Sequence, residues 1–113
     1  MKQLDYILNT PVITIDEMLA NKKPKGKRES VAKRIVCVDG AEISVQASHS
    51  HYCSPRNDYG SWSKVECGFP SIAPLDTWEE YAEDWDTPCD TVYGWIPVEL
   101  VREFIKEHGG EKP

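Results

Sequence analysis

The stretch Ile35-Val36-Cys37-Val38, Asp39-Gly40, then Ala41 to Ala47 constrains the fold more than any other. Asp-Gly accepts the positive φ angles of a type I′ turn, so the run predicts a β-hairpin. Its first strand is apolar on both faces, as a central strand would be. Its second alternates Ile43, Val45 and Ala47 with Glu42, Ser44 and Gln46, one face inward and one outward.

Around this central hairpin, spanning 34–48, other elements follow from periodicity. Trp62 to Phe69 reads as a strand with Val65, Cys67 and Phe69 on one face, which extends the hairpin to an antiparallel meander. Thr14 and Glu17 have the spacing of a capping box and start a short helix that stops near Asn21. Thr77 and Glu80 repeat that spacing, and Trp78, Tyr81, Ala82 and Trp85 fall on one helical face. Thr91 to Trp95 reads as a short strand. Pro97 then opens a helix with the apolar stripe Leu100, Val101, Phe104 and Ile105, ended by Gly109-Gly110. The expected class is α+β: a small antiparallel sheet of three to four strands with two to three helices packed on one side. At 113 residues the chain suits a single domain, 1–113.

Charge is segregated along the chain. Lys22 to Arg34 holds seven bases against Glu29, and its Pro and Gly predict a mobile basic loop near 22–30. Asp76 to Asp90 holds seven acids and no base, within a net charge of −6. Such a run can imitate nucleic acid, which carries one charge per about 1.7 Å of duplex. Asp76, Glu79, Glu80, Glu83, Asp84 and Asp86 are therefore candidates to bind a partner. The plainer alternative is the solvated face of an amphipathic helix. Net acidity argues against direct nucleic-acid binding. The N-terminus lacks the plan of a signal peptide and no apolar run reaches membrane-span length, so a cytoplasmic location is expected and a membrane partner is not.

Cys37, Cys53, Cys67 and Cys89 form no CxxC pair, and without a secretion signal they read as buried thiols or metal ligands. Continuing the register of Ile43, Val45 and Ala47 places His49, His51 and Cys53 on one face. Cys67 or Cys89 could complete a tetrahedron, and imidazole with thiolate suits structural zinc. The alternative makes the histidines hydrogen-bonded strand-end residues and the cysteines small core hydrophobes. A Cys53 nucleophile activated by His51 would also need an orienting group and an oxyanion site, and neither is visible. The common nucleotide-binding and hydrolase motifs are absent, so no catalytic residue is assigned.

Several motifs in order carry a resemblance over about the last 70 residues. They are Ser44-Val45-Gln46-Ala47-Ser48, His51-Tyr52-Cys53-Ser54-Pro55-Arg56, Val65-Glu66-Cys67-Gly68-Phe69-Pro70-Ser71, Tyr81-Ala82-Glu83-Asp84 and Thr91-Val92-Tyr93-Gly94-Trp95-Ile96-Pro97-Val98-Glu99, ending in His108-Gly109-Gly110. The chain resembles a family of small proteins encoded by phages and prophages of Firmicutes. The resemblance implies no settled activity. A small acidic phage protein is similar in kind to the inhibitors phages use against host defence. The leading expectation is an anti-CRISPR protein that binds a CRISPR effector nuclease stoichiometrically in the bacterial cytosol and blocks its DNA loading. Two alternatives stand beside it. One is a sponge for a nucleotide immune signal, with Arg56 holding phosphate and Tyr52 the base. The other is a small metal- or Cys/His-dependent hydrolase.

Overall fold

The computed structural model describes residues 2–20 and 28–113. Two short helices, α1 (Gln3–Asn9) and α2 (Ile15–Leu19), precede strands β1 (Ile35–Val36), β2 (Glu42–Gln46) and β3 (Lys64–Gly68). A 3-10 helix (Asp76–Tyr81), strand β4 (Val92–Pro97) and helix α3 (Val98–Glu107) complete the chain. The strands pair antiparallel in the order β1-β2-β3-β4, a meander in an α+β fold, as the hairpin and alternation predict.

Register explains the core. Val45 lies opposite Cys67 and Cys67 opposite Tyr93, while Val65 faces Ile96 and Ile43 faces Ile35. Directly paired residues share a face, so these side chains form one apolar sheet surface. Leu4 and Ile7 of α1, Val101, Phe104 and Ile105 of α3, and Trp78 complete the same cluster. Tyr93 is fully buried at its centre, with Trp78 and Trp85 edge-on at 5.4 and 6.4 Å.

The turn differs from the expected type I′. Cys37 N–H donates to the Ala41 carbonyl, leaving a three-residue loop, Val38 to Gly40. Only Gly40 takes positive φ, at 94°, and the Asp39 carboxylate accepts from Ala41 N–H. β1 is an edge strand, contrary to the central position its apolar faces suggest. Its outer side is covered by the C-terminal segment: Val38 N–H donates to Gly110 O and Lys112 N–H to Val36 O. That cover accounts for the apolar composition.

The expected amphipathic helix near 77–85 is also different. A 3-10 turn ends at Tyr81, Ala82 bridges to Tyr93, and turns run on to Asp90. No side chain caps it, and Glu79/Glu83 and Glu80/Asp84 would place like charges four apart on an α-helix. The 3-10 helix followed by the bridge still brings Trp78 and Trp85 onto Tyr93. α2 begins as expected, with Thr14 Oγ1 accepting from Glu17 N–H at 3.1 Å, and ends at Leu19. Residues 21–27, where most of the basic loop was placed, lie outside the described residues. Arg28, assigned to that surface loop, is 4% exposed. Its guanidinium donates to the carbonyls of Ile7, Thr10, Glu29 and Ala47 and lies over Trp62 at 4.9 Å.

Candidate functional site

β2 stops at Gln46, so the register does not carry through to Cys53. Ser48 takes over: its hydroxyl accepts from Ser50 N–H and its carbonyl from His51 N–H, and the chain turns. His49 therefore points into solvent, with Nδ1 2.9 Å from both Asp58 carboxylate oxygens. His51 Nδ1 is 2.7 Å from Ser48 Oγ, and burial holds its pKa below the ordinary value. Cys53 is buried and donates to the carbonyls of Ser48 at 3.2 Å and Pro55 at 3.4 Å.

Of the five metal candidates, only His51 and Cys53 share a partner, Ser48. Cys67 lies between Val45 and Tyr93 on the core face, and Cys89 is exposed in the turns before β4. Among the described residues, no three His, Cys, Asp or Glu side chains form a group that could hold a metal ion. Burial also pushes the Cys53 and Cys67 thiols upward, against the thiolate that a ligand or nucleophile requires.

A different set of residues is brought together, from three of the motifs quoted above. Between the pairs Val65↔Ile96 and Cys67↔Tyr93, β4 carries two residues, Gly94 and Trp95, against the single Glu66 of β3. This is a β-bulge, a device that re-aims a side chain. Trp95 has φ 52°, a region bulky residues rarely adopt, at a cost of about 1–3 kcal/mol. Its N–H donates to Tyr52 O, and Tyr52 N–H donates to the Glu66 carboxylate. Trp95, 47% exposed as a residue, stacks its ring on Tyr52 at 5.0 Å and 28°. Gly94 permits the approach, since a Cβ there would lie 3.3 Å from Tyr52 Cβ.

Arg56 extends the stack. Its guanidinium lies 5.3 Å from the Tyr52 ring centre, and its Nε donates to His49 O. Beside the stack is a groove of about 460 Å³ lined by Tyr52, Tyr81, Trp95, Glu80 and Glu83. Burial and the adjacent Glu80 carboxylate both raise the Tyr81 pKa. A larger groove of about 710 Å³, with Lys2, Lys33, Arg34 and Lys112 on its walls, is bounded by long exposed side chains and no aromatic ring.

The partner-binding candidates Asp76, Glu79, Glu80, Glu83, Asp84 and Asp86 are all exposed, and none forms an ion pair among the described residues. Of these, Glu80 and Glu83 border the exposed aromatic stack. The stack itself escapes a reading by periodicity, although a glycine inside a strand run, as in Tyr93-Gly94-Trp95, signals a bulge or close backbone approach. The fold and site define an α+β domain with an acidic-aromatic surface. No family model matches the chain, and neither a curated protein nor a solved structure matches it.

Proposed function

We propose that this chain is a stoichiometric protein-binding inhibitor, of the anti-CRISPR kind carried by phages, acting in the bacterial cytosol. Its target would be a CRISPR effector nuclease, which it would keep from loading DNA. The observation that carries this reading is the run of exposed carboxylates from Asp76 to Asp86, without ion pairs among the described residues, of which Glu80 and Glu83 line the groove with Trp95 and Tyr52. Lysines and arginines that line a DNA channel gain from such a band much of what phosphates give them. Tyr52 and Trp95 add the rigid aromatic area on which protein interfaces concentrate their binding energy. Membership of a phage and prophage family, which the motifs from Ser44 to Gly110 resemble, is part of the same proposal. No helix among the described residues is long and apolar enough to cross a membrane.

Purified protein mixed with guide-loaded nuclease should suppress cleavage at about one equivalent, with suppression weakening as salt rises. Unchanged cleavage at stoichiometric excess removes the reading.

The Arg56-Tyr52-Trp95 ladder favours a second reading, a sponge for a nucleotide immune signal. Glu80 and Glu83 in the adjoining groove weigh against it, because they repel phosphate. Calorimetry with cyclic nucleotides decides it, and absence of heat eliminates the sponge.

Structural zinc belongs to the proposal only as a stabiliser at His51 and Cys53, two ligands where a closed site takes four. Elemental analysis of folded, never-chelated protein tests it: the zinc reading stands only on near-stoichiometric metal that falls in His51→Ala and Cys53→Ala. Clearly substoichiometric zinc removes it.

A further inference from the structure

We propose that the groove between Trp95 and the 3-10 helix receives an arginine side chain of the partner protein. The inference rests on the binding reading above and names the chemistry of its central contact. Three aromatic rings, Tyr52, Tyr81 and Trp95, share the lining with the carboxylates of Glu80 and Glu83, and among the described residues no Lys, Arg or His joins them. A cation entering this space meets the negative faces of the rings and two acids at once. An anion meets repulsion. A neutral apolar chain could cover the rings but would leave both carboxylates partly desolvated and unpaired.

Guanidinium fits better than ammonium. It is planar, stacks on aromatic faces and binds carboxylate through two parallel hydrogen bonds. The molecule already makes the aromatic half of this contact once, where Arg56 lies over Tyr52 at 5.3 Å. An incoming arginine on Trp95 would repeat the arrangement beside Glu80 and Glu83. The backbone prepares the surface in advance. The bulge at Gly94-Trp95 and the Trp95 N–H bond to Tyr52 O hold the ring in place, so little ordering remains to oppose binding.

The test is a titration of the ¹⁵N-labelled full chain with four probes: acetyl-Gly-Arg-Gly-amide, its lysine counterpart, its citrulline counterpart and AMP. The arginine peptide should shift the Trp95 indole and Gly94 amide saturably. The lysine peptide should bind about threefold more weakly. Citrulline, neutral and of similar shape, and AMP should leave both signals in place. The double variant E80Q/E83Q changes two exposed side chains, keeps a dispersed spectrum, and should weaken the arginine peptide about tenfold. Trp95→Leu keeps apolar area without the π face and should lose the shift. Equal shifts by citrulline, preferential titration by AMP, or undiminished binding in E80Q/E83Q would each overturn the proposal. A chain that binds the arginine peptide yet leaves nuclease loading unaffected retains the groove and loses the inhibitor reading. Full inhibition by E80Q/E83Q and Trp95→Leu does the reverse.

Discussion

Trp95 is held at φ 52° and about half exposed, where a bulky residue gains neither backbone comfort nor full burial. Gly94 makes this arrangement possible. In Gly94→Ala the new methyl meets Tyr52 Cβ at 3.3 Å, and the expected cost is about 1–2 kcal/mol by urea unfolding, with loss of the Tyr52–Trp95 stacking signal in near-UV circular dichroism. Unchanged stability and stacking would show that Tyr52 moves aside freely. Arg28 is the opposite case, a charge drawn inward. Its sequence neighbours Lys25, Lys27 and Glu29 read as solvated loop, and nothing in that run signals that one base will donate to four carbonyls. Arg28→Met strands those acceptors and should destabilise by about 3 kcal/mol, measured by urea unfolding. His51 gives a pH signature. Its folded pKa lies below the ordinary 6.5 because of burial, so the unfolded chain takes up the proton first as pH falls. Stability should therefore be complete above about pH 6.5 and decline below it, and His51→Asn should reduce the difference between unfolding curves at about pH 7.5 and about pH 5.

At the scale of elements, the hairpin and the α3 stripe were legible because their spacing repeats over several residues. Ile43, Val45 and Ala47 could be placed inward, and Val101, Phe104 and Ile105 likewise, before any contact was known. The β2 end was not legible, because alternation continues formally to Cys53 while a single side chain, Ser48, diverts the backbone. The bulge was signalled only by Gly94, because its place depends on the pairing of β3 with β4, which local pattern does not reveal. The same holds for the C-terminal segment. Glu111 accepts from Gln3 N–H at 2.8 Å and Leu4 N–H at 3.4 Å, capping α1 from more than a hundred residues away. Glu111→Ala should cost about 1 kcal/mol and accelerate amide exchange at Gln3 and Leu4 more than at Val45. Equal protection at all three would detach α1 from this cap. Both outer strands are covered, β1 by this segment and β4 by Ala82 and Glu83, so strand addition is a poor route to a partner.

For the whole molecule, charge segregation in the sequence survives folding. Acids from Asp76 to Asp86 stay exposed beside the aromatic groove, while Lys2, Lys33, Arg34 and Lys112 line another. The acidic face was visible in the sequence as a run without bases. Its aromatic border was not, because Tyr52 and Trp95 lie 43 positions apart and meet only through the sheet. An inhibitor that works by this face must compete with DNA rather than alter chemistry. The direct measurement is fluorescence anisotropy of labelled target DNA loading onto guide-bound CRISPR nuclease preincubated with one equivalent of protein. The account predicts that loading is blocked, that DNA bound first is protected, and that E79Q/E80Q/E83Q/D84N restores loading. Loading unchanged at stoichiometric excess would contradict it.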